Sequence, residues 1–326
     1  MAPPPVQIIE GCFGALDHAA LVALCRLDVP DRLTNVTPVS DLARDLAADP
    51  DALERLLRYA AARGWVRFGR RGAVRPAPVL RFLRRDHPGG WRAWVEFTGG
   101  ADVTGAMAHI AEAVSAGQDP FVVANGAPFF AWMTANPGRQ QAFDAAMAAG
   151  GRMHGLVLAE TLPWASSAVV CDVGGGDGAL LGVLLDRHPH LRGVLFDLPS
   201  VVARAPGHAR LHVAPGDAFV SVPEACDTYL LVSVLHDWSD NDARRLLERV
   251  VAAAAPGARI VVVEGERKQV PADDITARTD LLMLALTPGG RERTTGEFAA
   301  LGAAVGLRHE RAVALASGNR AHVFRR

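Results

Sequence analysis

Lysine is almost missing from this chain: of 34 basic residues only Lys268 is a lysine, and the rest are arginine. With the abundance of alanine and glycine, that bias points to a GC-rich coding sequence rather than to a function. Net charge is nearly absent too, at −1 over 326 residues. No global field therefore draws nucleic acid or an anionic membrane surface. Cysteine is sparse, and Cys12, Cys25, Cys171 and Cys226 form no C-x-x-C pair. That excludes a disulfide framework and a cysteine-built zinc site, and predicts a reduced, cytoplasmic protein. Cys171 and Cys226 lie in apolar runs and read as small core residues. No uncharged apolar run approaches about 18 residues, so no membrane span is expected. The start, Met1-Ala2-Pro3-Pro4-Pro5, has neither a basic nor an apolar targeting region, so it does not read as a signal peptide. There are no internal repeats.

What is present is apolar sequence, 50% of the chain, enough for two cores. Residues 6–28 read as a helix, because Ile8, Ile9, Cys12, Phe13, Leu16, Ala19, Ala20, Ala23, Leu24 and Leu27 recur at helical spacing. Its apolar arc is wider than one face needs, which suits a core helix or one packed on a second subunit. Residues 37–76 predict a short helix near Val39–Leu46, then a helix opened by Asp49-Pro50 and stopped at Gly64. A β-hairpin follows around Gly69-Arg70-Arg71-Gly72. Helix, helix, hairpin is a winged-helix plan. Eight arginines stand from Arg67 to Arg92, but no basic recognition helix precedes the wing, and Asp49, Asp51 and Glu54 crowd its start. A solvated arginine surface explains them better than DNA does. Residues 89–160 read as helical, broken at Asp119-Pro120, Gly126-Ala127-Pro128 and Asn136-Pro137-Gly138. From about 166 onward strand-like runs alternate with helical patterns: 168–173, 193–196, 210–213, 228–235 and 259–263. That is the signature of a parallel sheet covered on both faces. Runs 307–315 and 320–324 predict a final antiparallel hairpin at the sheet edge. The expected division is 1–88, winged-helix-like; 89–160, helical; and 161–326, α/β.

The densest signal is Val169-Val170-Cys171-Asp172-Val173-Gly174-Gly175-Gly176-Asp177-Gly178, a strand, a glycine turn and then a helical pattern. Such an edge presents backbone N–H groups to a nucleotide-like ligand. The glycines formally satisfy a dinucleotide pattern, which alone is a weak signal. Asp197, closing the next strand, suits ribose hydroxyls in NAD, FAD or S-adenosylmethionine (SAM) and so does not discriminate. Asp172 does, because a pyrophosphate there would meet a like charge, whereas the ammonium of SAM would not. The plainer reading of Asp172 is a cap for the following turn, which is compatible with ligand binding. Asp217 follows Gly216 and can accept from an adenine amino group. The fourth strand ends in Leu235-His236-Asp237-Trp238, with Ser239 and Asp242 as a capping pair for the next helix. His236 thus lies at the carboxyl end of a central strand, on the edge that carries the glycine turn.

Asp172 to Gly178, Phe196-Asp197-Leu198-Pro199, Gly216-Asp217-Ala218-Phe219, Leu235 to Asp240 and Gly289-Gly290-Arg291-Glu292-Arg293-Thr294 stand in order. The chain resembles the class I SAM-dependent O-methyltransferases of small molecules, the plant caffeate and flavonoid type with its bacterial antibiotic-pathway relatives. The resemblance covers nearly the whole chain. It implies a Rossmann-like methyltransferase domain, preceded by a winged-helix-like dimerisation domain, and a homodimer. It implies that Asp172, Gly174, Gly176, Asp197, Leu198, Asp217, Ala218, Phe219 and Ser233 bind SAM. It also implies that His236 is the general base, with Glu264, Glu292 and Asp237 around it. Taken without the resemblance, Glu264 and Glu292 would read equally well as surface carboxylates. No metal, nucleic acid or membrane is expected. Val232 replaces a lysine common in the plant enzymes, and Ala218 is smaller than usual, which alters the adenine contacts. Phe129, Trp132, Phe143, Met147, Met283 and Leu286 are expected to line a pocket for an aromatic or polyketide-like acceptor, or else to be plain core. Arg152 or His154 would touch the donor or the acceptor. The expected reaction is methyl transfer from SAM to a phenolic hydroxyl, leaving S-adenosylhomocysteine. The alternative is a SAM-binding relative that hydroxylates, decarboxylates or cyclises.

Overall fold

The computed structural model describes residues 3–271 and 274–326, so Met1 and Ala2 of the proline-rich start lie outside it. The chain divides into two compact units, Met1–Ala101 and Asp102–Arg326.

The first unit opens with the helix Pro4–Arg26, whose prolines occupy the first turn, where a missing N–H costs nothing. Ala20, Val22, Leu24 and Cys25 near its end are buried, while Val6, Ile8, Ile9, Phe13 and Leu16 are exposed. Among the described residues it is the one helix long and apolar enough, by length and composition, to cross a membrane. It nevertheless carries Glu10 and Asp17. Asp17 accepts from the Tyr59 hydroxyl at 2.9 Å and pairs with Arg63 at 2.7 Å. The helices Val39–Asp45 and Pro50–Ala62 follow, the second capped by the Asp49 carboxylate on the Ala52 N–H at 2.8 Å. Strands β1 (Thr37–Pro38), β2 (Val66–Phe68) and β3 (Ala73–Pro76) form an antiparallel sheet in the order β1-β3-β2. A 3-10 turn over Arg70–Gly72 joins the hairpin. The helix Trp91–Thr98 belongs to this unit, and its buried Arg92 meets Asp28 and Asp31 at 2.6 Å and Glu96 at 2.7 Å. Arg84 and Arg85 are likewise paired with Asp86 and Asp28. These members of the arginine run are spent on local ion pairs.

The second unit is built on a seven-stranded sheet. Its strands are β4 (Val169–Val173), β5 (Arg192–Asp197), β6 (Leu211–Pro215), β7 (Thr228–Val232), β8 (Arg259–Glu264), β9 (Arg308–Ala314) and β10 (Arg320–Arg325). The order is β6-β5-β4-β7-β8-β10-β9. Strands β4 to β8 run parallel, and β10 pairs antiparallel with both β8 and β9. The hairpin therefore closes the sheet as expected, but its second strand, not its first, joins the parallel set. Both faces are covered, so the central strands are apolar on successive residues rather than alternating. Cys171, Val173, Tyr229, Leu231, Ile260 and Val262 belong to one core. Val170, Leu230, Val261 and Val263 pack with Leu181, Leu184 and Leu185 in the other. The chain builds outward from β4 in one direction and then, from β7, in the other. Ligand crevices form at the carboxyl ends of strands where the order reverses in this way.

Candidate active site

At the tip of β4 the glycine turn folds back over the strand. The Gly174 N–H donates to the Phe196 carbonyl at 2.9 Å, and Gly174 and Gly176 take φ of +72° and +62°. A Cβ on Gly175 would lie 2.8 Å from the Asp172 carboxylate and 2.6 Å from Leu195. The turn can sit on that carboxylate only because Gly175 has no side chain. Asp172 is 2% exposed, and its Oδ2 has no hydrogen-bond partner. Burial, and then the neighbouring Asp197 charge, push it up to about 7. Asp197 accepts from the Gly176 N–H at 2.9 Å and the Leu198 N–H at 2.7 Å, which offsets part of the upward effect of burial. Asp217 accepts from the Phe219 N–H at 2.8 Å, and Ala218 lies half-buried between them. Ser233, in the left-handed region at φ +55°, turns the chain out of β7 while its N–H donates to Val263. A buried carboxylate without a partner, beside a second acid, fits a cationic group and repels a phosphate.

Across the switch point, His236 sits in a single 3-10 turn, Leu235–Asp237. Glu264, wholly buried at the end of β8, accepts from the Val234 and Leu235 N–H groups at 2.9 and 2.8 Å. Its other oxygen is 3.5 Å from His236 Nδ1. Glu292 Oε1 is 3.3 Å from the same nitrogen and accepts from the Thr279 hydroxyl at 2.9 Å. Asp237 Oδ1 lies 3.7 Å from Nε2. Burial disfavours the charged ring, but the three carboxylates outweigh it and raise His236 to about 10. Burial raises Glu264 to about 7 and Asp237 to about 6. For Glu292 burial works upward, but the hydrogen bond and charge of His236, the Thr279 hydroxyl and the Arg293 charge together outweigh it, so its carboxyl stays below the usual range. The ligand atoms of His236, Glu264 and Glu292 lie within 4.8 Å of one another, near enough to share an ion as well as a proton.

The expected acceptor residues fall in two groups. Phe129 is buried, with Phe121 and Phe130 at 5.1 Å and Phe143 at 5.3 Å, all edge to face, and Trp132 stands on Phe121 at 5.7 Å. Met147 is half-buried on the helix Pro137–Thr161. Met283 and Leu286 are buried on the helix Ile275–Leu286, which also carries Thr279 and Asp280 to Glu292. Sequence reasoning gave no role to Trp238 and did not single out Phe130. Trp238 stacks on Phe130 at 5.3 Å and meets Phe219 edge-on at 4.7 Å, joining the aromatic cluster to the loop after β6. Its position two residues past His236 was the available signal. Thr279, Asp280 and Arg293 were also missed, and only the last adjoins a named site residue. His154 is buried, with Nδ1 lacking a hydrogen-bond partner.

A model of the O-methyltransferase domain matches residues 107–308, and one of the O-methyltransferase dimerisation domain matches residues 9–78. The mitomycin biosynthesis 6-O-methyltransferase of Streptomyces lavendulae is 32% identical over 96% of this chain and 90% of its own. The aclacinomycin 10-hydroxylase of Streptomyces purpurascens is 33% identical over 84% of this chain and 76% of its own. Among solved structures, a methyltransferase of calicheamicin biosynthesis bound to S-adenosylhomocysteine superposes with a TM-score of 0.87 at 28% identity, covering 98% of this chain and 97% of that one.

Proposed function

Because this chain belongs to the family of SAM-dependent O-methyltransferases that carry a dimerisation domain, we propose that it methylates a phenolic hydroxyl on an aromatic or polyketide-like metabolite, with His236 as general base. The observation that carries the reading is one imidazole held among three carboxylates at the rim that also bears the orphaned Asp172. A phenol near pKa 10 and an ordinary imidazole near 6.5 are mismatched by roughly 3.5 units. With His236 raised to about 10, the proton moves between near-equals. Glu292 and Glu264 on the Nδ1 side fix the tautomer that leaves Nε2 to receive it. Bound SAM supplies an electrophilic methyl group and a positive charge that favours phenolate over phenol. Asp172 would hold its ammonium beside the turn of Gly174 and Gly176. Asp197 and Leu198 would hold the ribose, and Asp217, Ala218, Phe219 and Ser233 the adenine. Phe129, Trp132, Phe143, Met147, Met283 and Leu286 would exclude water around the acceptor.

Further parts of the reading are a homodimer through the first unit, action in the cytoplasm away from membrane and nucleic acid, and no metal. Glu264 Oε1 and Glu292 Oε1 already accept N–H or O–H donors, while Glu264 Oε2 faces His236 Nδ1 at 3.5 Å, so we read the proton on Nδ1, with Nε2 free, rather than a metal as what the cluster holds. The hydroxylase among the relatives makes a second chemistry worth testing against the first. Incubation with methyl-labelled SAM and a panel of phenols, catechols and aromatic acids, read by mass, is expected to give a labelled ether and S-adenosylhomocysteine, unchanged by EDTA. A hydroxylated product without S-adenosylhomocysteine would replace transfer with hydroxylation.

A further inference from the structure

Glu292 is followed by Arg293, whose side chain is wholly buried. A guanidinium removed from water is costly unless its donors are met. Here Nε donates to Asp240 Oδ1 at 2.8 Å, Nη1 to the Leu235 carbonyl at 2.7 Å and Nη2 to the Trp238 carbonyl at 2.7 Å. Those two carbonyls bracket His236-Asp237. The backbone of the same segment closes on the turn as well, since the Arg291 N–H donates to the His236 carbonyl at 2.8 Å. At Gly290 a Cβ would lie 2.8 Å from that carbonyl oxygen and 3.1 Å from the Asp237 one, so a side chain there would push the segment away. The far side is anchored, with the Arg267 N–H on the Arg293 carbonyl at 3.0 Å and the Glu292 N–H on Asp280 at 2.8 Å. Successive side chains of an extended segment point to opposite sides. Glu292 reaches the ring, and Arg293 reaches the main chain that carries it.

We propose that Arg293 is a positioning residue for His236: its forked donors fix the backbone from which the imidazole projects, while Glu292 fixes the ring. A forked, permanently charged donor set is what two separate carbonyls and a carboxylate require, and lysine cannot span them. The Arg293 charge also favours the ionised form of Glu292. The proposal takes His236 as the reactive imidazole. It is tested without turnover, so that an active His236→Asn enzyme would sink that role separately.

The probe is the full chain, labelled with 15N and bound to S-adenosylhomocysteine, with the His236 ring signals identified by their loss in His236→Asn. In Arg293→Gln, exchange of the His236 Nδ1 proton and of the 235–238 amides should quicken at least about tenfold, the scale of one charge-assisted hydrogen bond lost. Affinity for S-adenosylhomocysteine and the protection of the β4 amides 170–173 should hold. Arg293→Lys should fall between Gln and the parent, because it keeps the charge and loses the fork. Should the Gln variant not fold, the Lys variant decides on the same reading. A His236 ring and 235–238 turn that exchange as in the parent would overturn the proposal, as would loosening only in step with β4.

Discussion

The tips of β4 and β8 meet the same physical problem in opposite ways. Each ends in a buried carboxylate raised to about 7, Asp172 in one and Glu264 in the other. Glu264 has its counter-charge built in: an imidazole 3.5 Å away, and two backbone N–H donors besides. Asp172 has a second acid for a neighbour and no cation among the groups that shift it. Asp172 Oδ2 and Glu264 Oε2 both lack a hydrogen bond, so the difference lies in charge: Oε2 faces the His236 ring and Oδ2 faces no such group. A buried carboxylate without a counter-charge is costly, and the ammonium of SAM, as proposed above, would supply one.

The sharpest way to break this contrast is His236→Asn. Turnover should fall by about 10²–10⁴ while SAM affinity, measured by calorimetry, stays within a few-fold. Loss of both together would mean that the two tips are one site. Asp172 comes next. Its carboxyl, held near 7, is protonated below that pH, and a cationic ligand prefers it ionised. SAM binding should therefore weaken as pH falls through about 7. Asp172→Asn should weaken it at pH 8 by roughly tenfold, the equivalent of one pKa unit, and flatten its pH dependence. An Asn variant that keeps the parent's slope would remove Asp172 from the donor site. The smallest effect belongs to Glu264→Gln, which keeps an acceptor for the Val234 and Leu235 N–H groups and removes one of the charges that raise His236. The rise of activity with pH should then shift to lower pH, with a plateau lower by only a few-fold. Stability carries the same sign. A histidine whose pKa is raised from 6.5 to about 10 contributes stability in full below 6.5 and loses it as pH climbs through 10. Thermal melts of the Gln variant should show a shallower alkaline loss.

The sequence reads best where a local pattern and a tertiary position coincide. Asp172, Asp197 and Glu264 each end an apolar run, and Asp217 and His236 lie just beyond one, so all could be set on the rim before any pairing was known. Strand β10 lying between β8 and β9 could not be read that way, because which arm of a hairpin joins the sheet depends on long-range contacts. Glu292 is reached only through the likeness of its motif to a family, since it ends no strand and caps no helix. Arg293 was hidden by composition: in a chain whose basic residues are nearly all arginine, one more gives no signal until its burial is seen. The stacking of Phe130 on Trp238 is likewise a product of packing, as one helix brings the first ring and the turn after β7 the second.

Trp238 has one face on Phe130 and an edge contact with Phe219. A flat, rigid ring caught between two others cannot tilt toward one without leaving the other. A push on the loop behind Asp217 is therefore passed through one ring to the helix that carries Phe130.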